Sequence, residues 1–370
     1  MKTVIIHDWL VAARGGEKVL QSIAELYPSP IYTLLKKDSV VEELGLDKHL
    51  VKTSFIQHLP LSSKLYRNYF PLFPSAIERL NVSEYDLILS SSHAVAKGVK
   101  THSKQLHICY CHSPMRYAWD LYDQYMESLS GFKKIAARLG LSYLRQWDYQ
   151  TVPRVNHFIA NSHFIKERIK RVYGRDSDVI YPPVMTHLIG LKEKEGFYLT
   201  VAHLVPYKKI DLIVEAFSFF PHKRLVVVGE GPEWEKIKAK SGKNVELLGY
   251  QEDGIVRDLL SRAKGFIFAA REDFGIAMVE AQAAGTPVIA YGQGGALEIV
   301  IEGETGAFFQ EQTVKSLAEV LNSFDKREFD PVIIKKHAEK FGTESFCQSF
   351  KSFVEKKWEI FCESSHSCRR

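Results

Sequence analysis

Along the whole chain, short apolar runs rich in β-branched residues alternate with stretches whose apolar positions recur every three to four residues. TVIIHDWL, YDLILSSS, LHICYCHS and HFIANS read as buried strands, whereas GGEKVLQSIAELYP and SHFIKERIKRVYG carry a helical stripe. The second of these helices opens on a serine suited to an N-cap. Alternation of this kind predicts parallel sheets built from βαβ units. YGRDSDVIYPPV, with its turn chemistry and the pair Pro182–Pro183, reads as the boundary between two halves. Beyond it the pattern restarts through GFYLTVAHL, IDLIVEAFSFF, KRLVVVGEGP, VELLGY, VRDLLSRA, GFIFAA, GIAMVEAQAAG and PVIAYG. The expected architecture is α/β, with two doubly wound domains facing a central cleft. Ligands of such domains bind outside the carboxyl ends of the strands.

Composition narrows the class. A chain of 370 residues exceeds one comfortable hydrophobic core, which supports two domains. With 45% hydrophobic and 25% charged residues it reads as a globular protein. The start, MKTVIIHDWL, has too short an apolar stretch before His7 and Asp8 for a secretory signal or anchor. No run approaches the ~18 apolar residues of a spanning helix. Five cysteines, an odd number without metal-type clustering, predict reduced thiols and a cytoplasmic setting. Cys109 and Cys111 would share one face of a strand in a buried structural role. The net charge of +5 suits anionic partners, and no nucleic-acid-binding motif is present.

The chemistry concentrates in REDFGIAMVEAQAAGTPVIAYGQGGALEIV, residues 271–300, which sets Glu272 and Glu280 eight positions apart. GFIFAA reads as a strand, REDF as the turn at its carboxyl end, and Gly275 to about Ala284 as a helix. The free N–H groups and dipole of that helix N-terminus favour a bound phosphate. Taken alone, Glu272 reads as a capping charge and Glu280 as a surface acid. The length and specificity of EDFGIAMVEAQAAGTPVIA change that reading.

The chain resembles the retaining GT-B glycosyltransferases of family four, the glycosyl transferases group 1. Glu272 and Glu280 match the E-x7-E motif of that family, followed by its EA-x-A-x-G-x-PVIA continuation. HDWLVAARGGEKVL resembles its acceptor-domain glycine loop, CYCHSPMRYAWD its central histidine segment, and VAHLVPYKKIDLIVEAF its phosphate-binding strand and turn. VVVGEGPE and GGALEIVIEGETGAFF match as well. Within the family, HDWL…RGGEKVL, HSPMRY and EDFGIAMVEAQAAG together most resemble mannosyltransferases of bacterial O-antigen and polysaccharide assembly.

The resemblance implies two Rossmann-like domains, residues 1–183 on the acceptor side and 184–344 on the nucleotide-sugar side. The tail, 345–370, is an amphipathic helix with Phe346, Phe350, Phe353 and Trp358 on one side, crossing back to the first domain. It also implies rigid-body closure about Pro182 and Pro183. The implied reaction is retaining transfer of a hexose from a nucleotide sugar, GDP-mannose favoured, to a lipid-linked or oligosaccharide acceptor. Lys208 is the implied cation for the departing diphosphate, aided by the backbone amides around Phe274, Gly275 and Ile276. His203 stands where the family carries an arginine, and Lys209 could compensate for it. Glu272 is implied to hold donor-sugar hydroxyls, Glu280 the nucleotide ribose, and Gly249 with Tyr250 the base. Gly15 and Gly16, with Arg14 beside them, would let the first-domain backbone approach the donor. His112 resembles the histidine near the anomeric centre, where it could bond a sugar hydroxyl or orient the acceptor. His93 is a weaker candidate.

Asp176–Asp178 spells D-x-D, the metal-holding pattern of other glycosyltransferases, but lies in the expected boundary and reads as a turn. Activity without a metal ion or further cofactor is therefore expected. A nicotinamide oxidoreductase fits less well, because VVVGEGPEWEK lacks the third glycine and the following acid of that fingerprint. A UDP-sugar-dependent glycosyltransferase, a non-enzymatic sugar-binding relative and a sugar-nucleotide epimerase complete the alternatives. Finally, KTSFIQHLPLSSKLYRNYFPLFPSAIERL, with Lys64, Arg67 and Arg79, mixes aromatic and basic residues. GFKKIAARLGLSYLRQWDY, with Lys133, Lys134, Arg138 and Arg145, does the same. Together they suit peripheral attachment to the anionic inner face of a cytoplasmic membrane.

Overall fold

The computed structural model describes residues 1–120, 122–127 and 129–365. They form two compact units, one of residues 1–183 with the chain from Phe346 onward, the other Val184–Ser345.

The first unit holds a seven-stranded sheet, every pairing of which is parallel. Its strands are β1 (Thr3–His7), β2 (Ile31–Thr33), β3 (Val51–Thr53), β4 (Leu87–Ser92), β5 (Leu106–Cys111), β6 (His157–Ala160) and β7 (Ser177–Val179). They run in the order β3-β2-β1-β4-β5-β6-β7. The order reverses between β1 and β4, which opens a crevice at their carboxyl ends. The second unit repeats the plan with β8 (Phe197–Val201), β9 (Arg224–Val228), β10 (Val245–Gly249), β11 (Gly265–Phe268), β12 (Val288–Tyr291) and β13 (Gly306–Phe309). Their order is β10-β9-β8-β11-β12-β13, all parallel, with the reversal between β8 and β11. The doubly wound α/β architecture expected from the alternation is thus present twice.

Burial explains the apolar runs. Val4, Ile5 and Ile6 of β1 and Leu87, Ile88 and Leu89 of β4 are buried, with alternate residues feeding the cores on the two faces of the sheet. The helix His163–Tyr173 starts where the serine signal placed it, Ser162 accepting the Ile165 N–H at 3.1 Å. It ends at Gly174, whose φ of 66° closes a left-handed cap. The tail forms the helix Thr343–Ser365. Phe346, Phe350 and Val354 enter the same core as Ile5 and Leu89, and Phe353 and Trp358 pack at its edge. One fully buried cation ties the first unit together. Lys97 is 1% exposed and ion-paired to Asp148 at 2.9 Å, and it donates to the Asp148 carbonyl at 2.6 Å and the Thr151 hydroxyl at 2.8 Å. It fastens the chain after β4 to the helix Gly131–Gln150.

One expectation needs correction. The D-x-D stretch is not all turn, because β7 pairs with β6 with Asp178 opposite Ile159; the sheet edge claims those backbone groups. Asp176 precedes that strand and pairs with Lys170 at 2.8 Å. Cys109, Cys111 and Cys347 are free, the first two buried in the sheet. No helix among the described residues is long and apolar enough to cross a membrane.

Candidate functional site

In each unit, polar residues gather just beyond the carboxyl ends of the strands that flank the switch point, where a parallel sheet offers room for chemistry.

In the second unit, β8 runs out into Ala202–Val205, and Lys208 ends the short turn Pro206–Lys208. Lys209 follows with φ 56°, one of two non-glycine residues of positive φ among those described, and starts the helix Ile210–Phe217. Lys208 reaches the residues after β11, where its Nζ pairs with Glu272 Oε1 and lies 5.8 Å from the centre of the Phe268 ring. The acid and the cation chosen from the sequence therefore touch. Two glycines hold this turn. The N–H of Gly295 donates to the Glu272 carbonyl at 3.0 Å. A Cβ on Gly294 would lie 2.4 Å from that carbonyl oxygen, and one on Gly295 would lie 2.2 Å from the Phe274 oxygen. Only glycine at both positions lets the chain after β12 lie so close.

Gly275, at φ 108°, caps the helix Ile276–Ala283, which carries Glu280 half-buried in its second turn. Phe274 is buried with its ring edge-on to Phe341, so only its backbone could meet a ligand. Gly249 joins the site from the β10 side, accepting the Gly229 N–H at 2.8 Å. Gly229 in turn packs on Ala202, with a Cβ at Gly229 falling 1.8 Å from the Ala202 oxygen. That is the structural use of the GEG turn weighed above as a dinucleotide fingerprint. His203 and Tyr250 are exposed, Tyr250 by 70%. Lys209 makes no ion pair among the described residues.

In the first unit, Gly15 and Gly16 open the helix Gly15–Leu26, and neither needs positive φ. A Cβ on Gly16 would sit 3.7 Å from His112 Nε2, in ordinary van der Waals contact, so the glycine borders that ring. The glycine pair and the histidine singled out from separate motifs are neighbours. The structure adds partners that the motifs did not point to. Asp8, fully buried, accepts four backbone N–H groups: those of His93 and Ala94 at 2.6 and 3.0 Å, and those of Val95 and Ala96 at 2.6 and 2.7 Å. Its Oδ2 also lies 3.1 Å from His93 Nδ1. Ser91 Oγ lies 2.8 Å from His112 Nε2 and 3.2 Å from His7 Nδ1, while His7 Nε2 faces Glu17 at 3.8 Å.

Burial, reinforced by His93 and His7, pushes the His112 imidazole down to about 3, so it is neutral at pH 7. Burial of Glu17 works against its charge, yet hydrogen bonding and attraction to His7 outweigh that and hold its carboxyl below the ordinary value. The cue for these residues was polar groups closing apolar strands, HD after TVII and SSSH after LIL. Among the described residues no group of three or more His, Cys, Asp and Glu could hold a metal ion.

Residues 39–188 match the family model described as Glycosyltransferase Family 4, and residues 188–344 the one described as Glycosyl transferases group 1. Together the two matches run through well over half of the chain. The chain belongs to this glycosyltransferase family. A glycosyltransferase of Methanocaldococcus jannaschii is 29% identical over 166 residues, which cover 44% of this chain and 47% of that protein. The alpha-1,3/1,6-mannosyltransferase ALG2 of Saccharomyces cerevisiae is 26% identical over 335 residues, 68% of this chain and 63% of ALG2. The chain spans about half the length of several curated relatives it matches. Among solved structures, Anabaena HepE in complex with UDP and glucose superposes with a TM-score of 0.72 at 17% identity, over 96% of this chain and 100% of HepE. At that identity the likeness speaks to architecture, and the chain has the GT-B fold.

Proposed function

We propose that the protein is a metal-independent, retaining hexosyltransferase that moves a sugar, mannose from GDP-mannose foremost, to a lipid-linked or oligosaccharide acceptor in cell-surface polysaccharide synthesis. The observation that carries this reading is the Lys208–Glu272 pair beside the N-terminus of the helix Ile276–Ala283. A sugar nucleotide already has a good leaving group, so the protein must stabilise the departing diphosphate and hold the sugar. Lys208 and the free N–H groups at the helix start supply positive potential, and Glu272 an acceptor for sugar hydroxyls. Glu280 takes the ribose, and the Gly249–Tyr250 backbone the base. ALG2, a mannosyltransferase, supports the choice of mannose, while HepE in its UDP and glucose complex supports a UDP-sugar as the second reading. A thermal-shift panel of GDP-mannose, UDP-glucose and UDP-N-acetylglucosamine, with NAD run beside them, separates the two, because a ligand at 100 times its Kd stabilises by about 2.7 kcal/mol. Stabilisation by none of them, or by NAD alone, refutes the reading.

The lipid-linked acceptor brings a surface with it. On the helix Gly131–Gln150, Ile135, Leu139 and Tyr143 are exposed at four-residue spacing beside Lys134 and Arg138. A Cβ on Gly140 would lie 2.8 Å from the Phe70 ring, so this helix adjoins the segment with exposed Leu65 and Leu72 near Lys64 and Arg67. Arg79 and Arg145 do not add to this face in the same way, since Arg79 stacks on Phe55 and Arg145 on Trp119 while donating to the Ala118 carbonyl. An apolar stripe with basic flanks suits the headgroup region of an anionic leaflet, at about 1 kcal/mol per basic residue. Sedimentation with vesicles of increasing phosphatidylserine should carry the wild type down and leave a Leu139→Asp variant in solution. Equal sedimentation of both would rule this surface out.

A further inference from the structure

Two serine–histidine pairs leave β4 and β5 side by side, and they are wired differently. Ser90 Oγ lies 2.8 Å from His107 Nε2, and His107 Nδ1 lies 2.9 Å from the Arg154 carbonyl. A carbonyl only accepts, so His107 carries its proton on Nδ1 and takes the Ser90 hydroxyl proton at Nε2. At the neighbouring pair, Ser91 stands between two imidazoles with a single proton to give. His7 and Ser91 lie directly opposite in the pairing of β1 with β4, and both are fully buried, so neither can turn to water. The one fixed charge beyond His7 Nε2 is the Glu17 carboxylate at 3.8 Å, itself held in place by the Arg14 N–H at 3.1 Å. A carboxylate there favours the His7 proton on Nε2. His7 Nδ1 is then bare and accepts the Ser91 O–H, and the Ser91 oxygen accepts from His112.

We propose that Ser91 is a positioning residue which, with His7 and Glu17, fixes His112 as the Nε2–H tautomer and leaves its Nδ1 bare to accept a hydrogen bond from a sugar or acceptor hydroxyl. The inference rests on the reading of His112 as a site residue of glycosyl transfer. It commits that residue to accepting at Nδ1 rather than donating there. The depressed basicity of His112 makes the choice of tautomer matter, since the ring stays neutral and its two nitrogens differ.

The test uses the full chain labelled with 15N at histidine, with nitrogen shifts read at about pH 8, above the ordinary imidazole pKa of about 6.5. The His112 signals are assigned by their loss in His112→Asn. In the wild type, His107 should show the Nδ1–H signature and His112 the Nε2–H signature. In Ser91→Ala and in Glu17→Gln, His112 should turn to a mixture while His107, a reporter of intact folding, stays unchanged; Ser91→Thr should restore one tautomer. An Nδ1–H signature at His112 in the wild type overturns the proposal, as does a His112 signature unmoved by both Ser91→Ala and Glu17→Gln. Should Ser91→Ala lose the His107 signature, the wild type and Glu17→Gln decide. With the donor identified by the panel above, Ser91→Ala should lower kcat about tenfold with donor KM within twofold. Unchanged kcat despite a lost tautomer would overturn the role given to Nδ1. Absence of transfer from every donor would strike the proposed function and leave the spectroscopic result standing.

Discussion

Asp8 offers the sharpest test of how the first unit builds its site. Its two oxygens take four N–H groups from the consecutive residues His93–Ala96, at 2.6 to 3.0 Å, with no solvent access. Asp8→Asn keeps size and shape but replaces one oxygen by an NH2 group. Whichever way the amide turns, two backbone donors then face another donor. Each buried donor left without a partner costs about 1–3 kcal/mol, so the variant should lose about 2–6 kcal/mol. That is a large share of the ~5–15 kcal/mol of a typical domain. Asp8→Ala, which strands all four donors, should lose more. Urea unfolding measures the total, and hydrogen exchange at residues 93–96 localises it, with protection falling about tenfold per 1.4 kcal/mol if the damage is local. Asp8→Asn within about 1 kcal/mol of the wild type, with those amides exchanging at the native rate, would refute the clamp.

Three further outcomes follow from the described geometry. Lys208→Ala should cut kcat by roughly 10²-fold, since it removes charge stabilisation that grows as the glycosidic bond breaks, whereas Glu280→Ala should chiefly raise donor KM. A folded Lys208→Ala, Glu272→Ala double variant with near-normal transfer would contradict the roles given to Lys208 and Glu272. Gly294→Ala, strained at φ 69° and set 2.4 Å from the Glu272 carbonyl oxygen, should displace the Glu272 turn and lower kcat, checked by steady-state kinetics against a thermal melt. Stability should decline as pH falls below about 6.5. His107 and His112, pushed down to about 4 and about 3 by burial, stay unprotonated in the folded chain while the unfolded chain already takes up protons. Urea midpoints between pH 7 and 4 read this, and His107→Gln should flatten the slope.

The elements legible in the sequence were those with enough length to show a period. β1, β4, β5, β8, β9 and β11 lie within the apolar runs, and the helix His163–Tyr173 carries its own start and stop signals. β2, β3 and β7 have three residues each, too few for any alternation to register, and the sheet rather than the segment decides them. The same limit hid Asp178, because an edge strand and a turn can share the composition Asp-Ser-Asp. The site divides along similar lines. Lys208, Glu272 and the glycines were visible because one stretch of chain holds several of them in fixed spacing. Asp8, Ser91 and His7 were not, because their meaning lies in pairing across strands 84 or more positions apart.

That division has a physical origin in the parallel sheet. Register sets His7 opposite Ser91 and Ser91 opposite Tyr110, so the polar ends of three strands meet at one rim, although each strand alone reads as an apolar run with a polar last residue. Burial then decides what each polar group becomes. Ser90, one residue earlier and on the other face, meets a histidine already committed by a carbonyl, and the pair is a satisfied structural contact. Ser91 meets two imidazoles and has one proton to share between them. Moving a serine by one position along β4 is enough to exchange a closed hydrogen-bond pair for a chain whose direction is set by the distant carboxylate of Glu17.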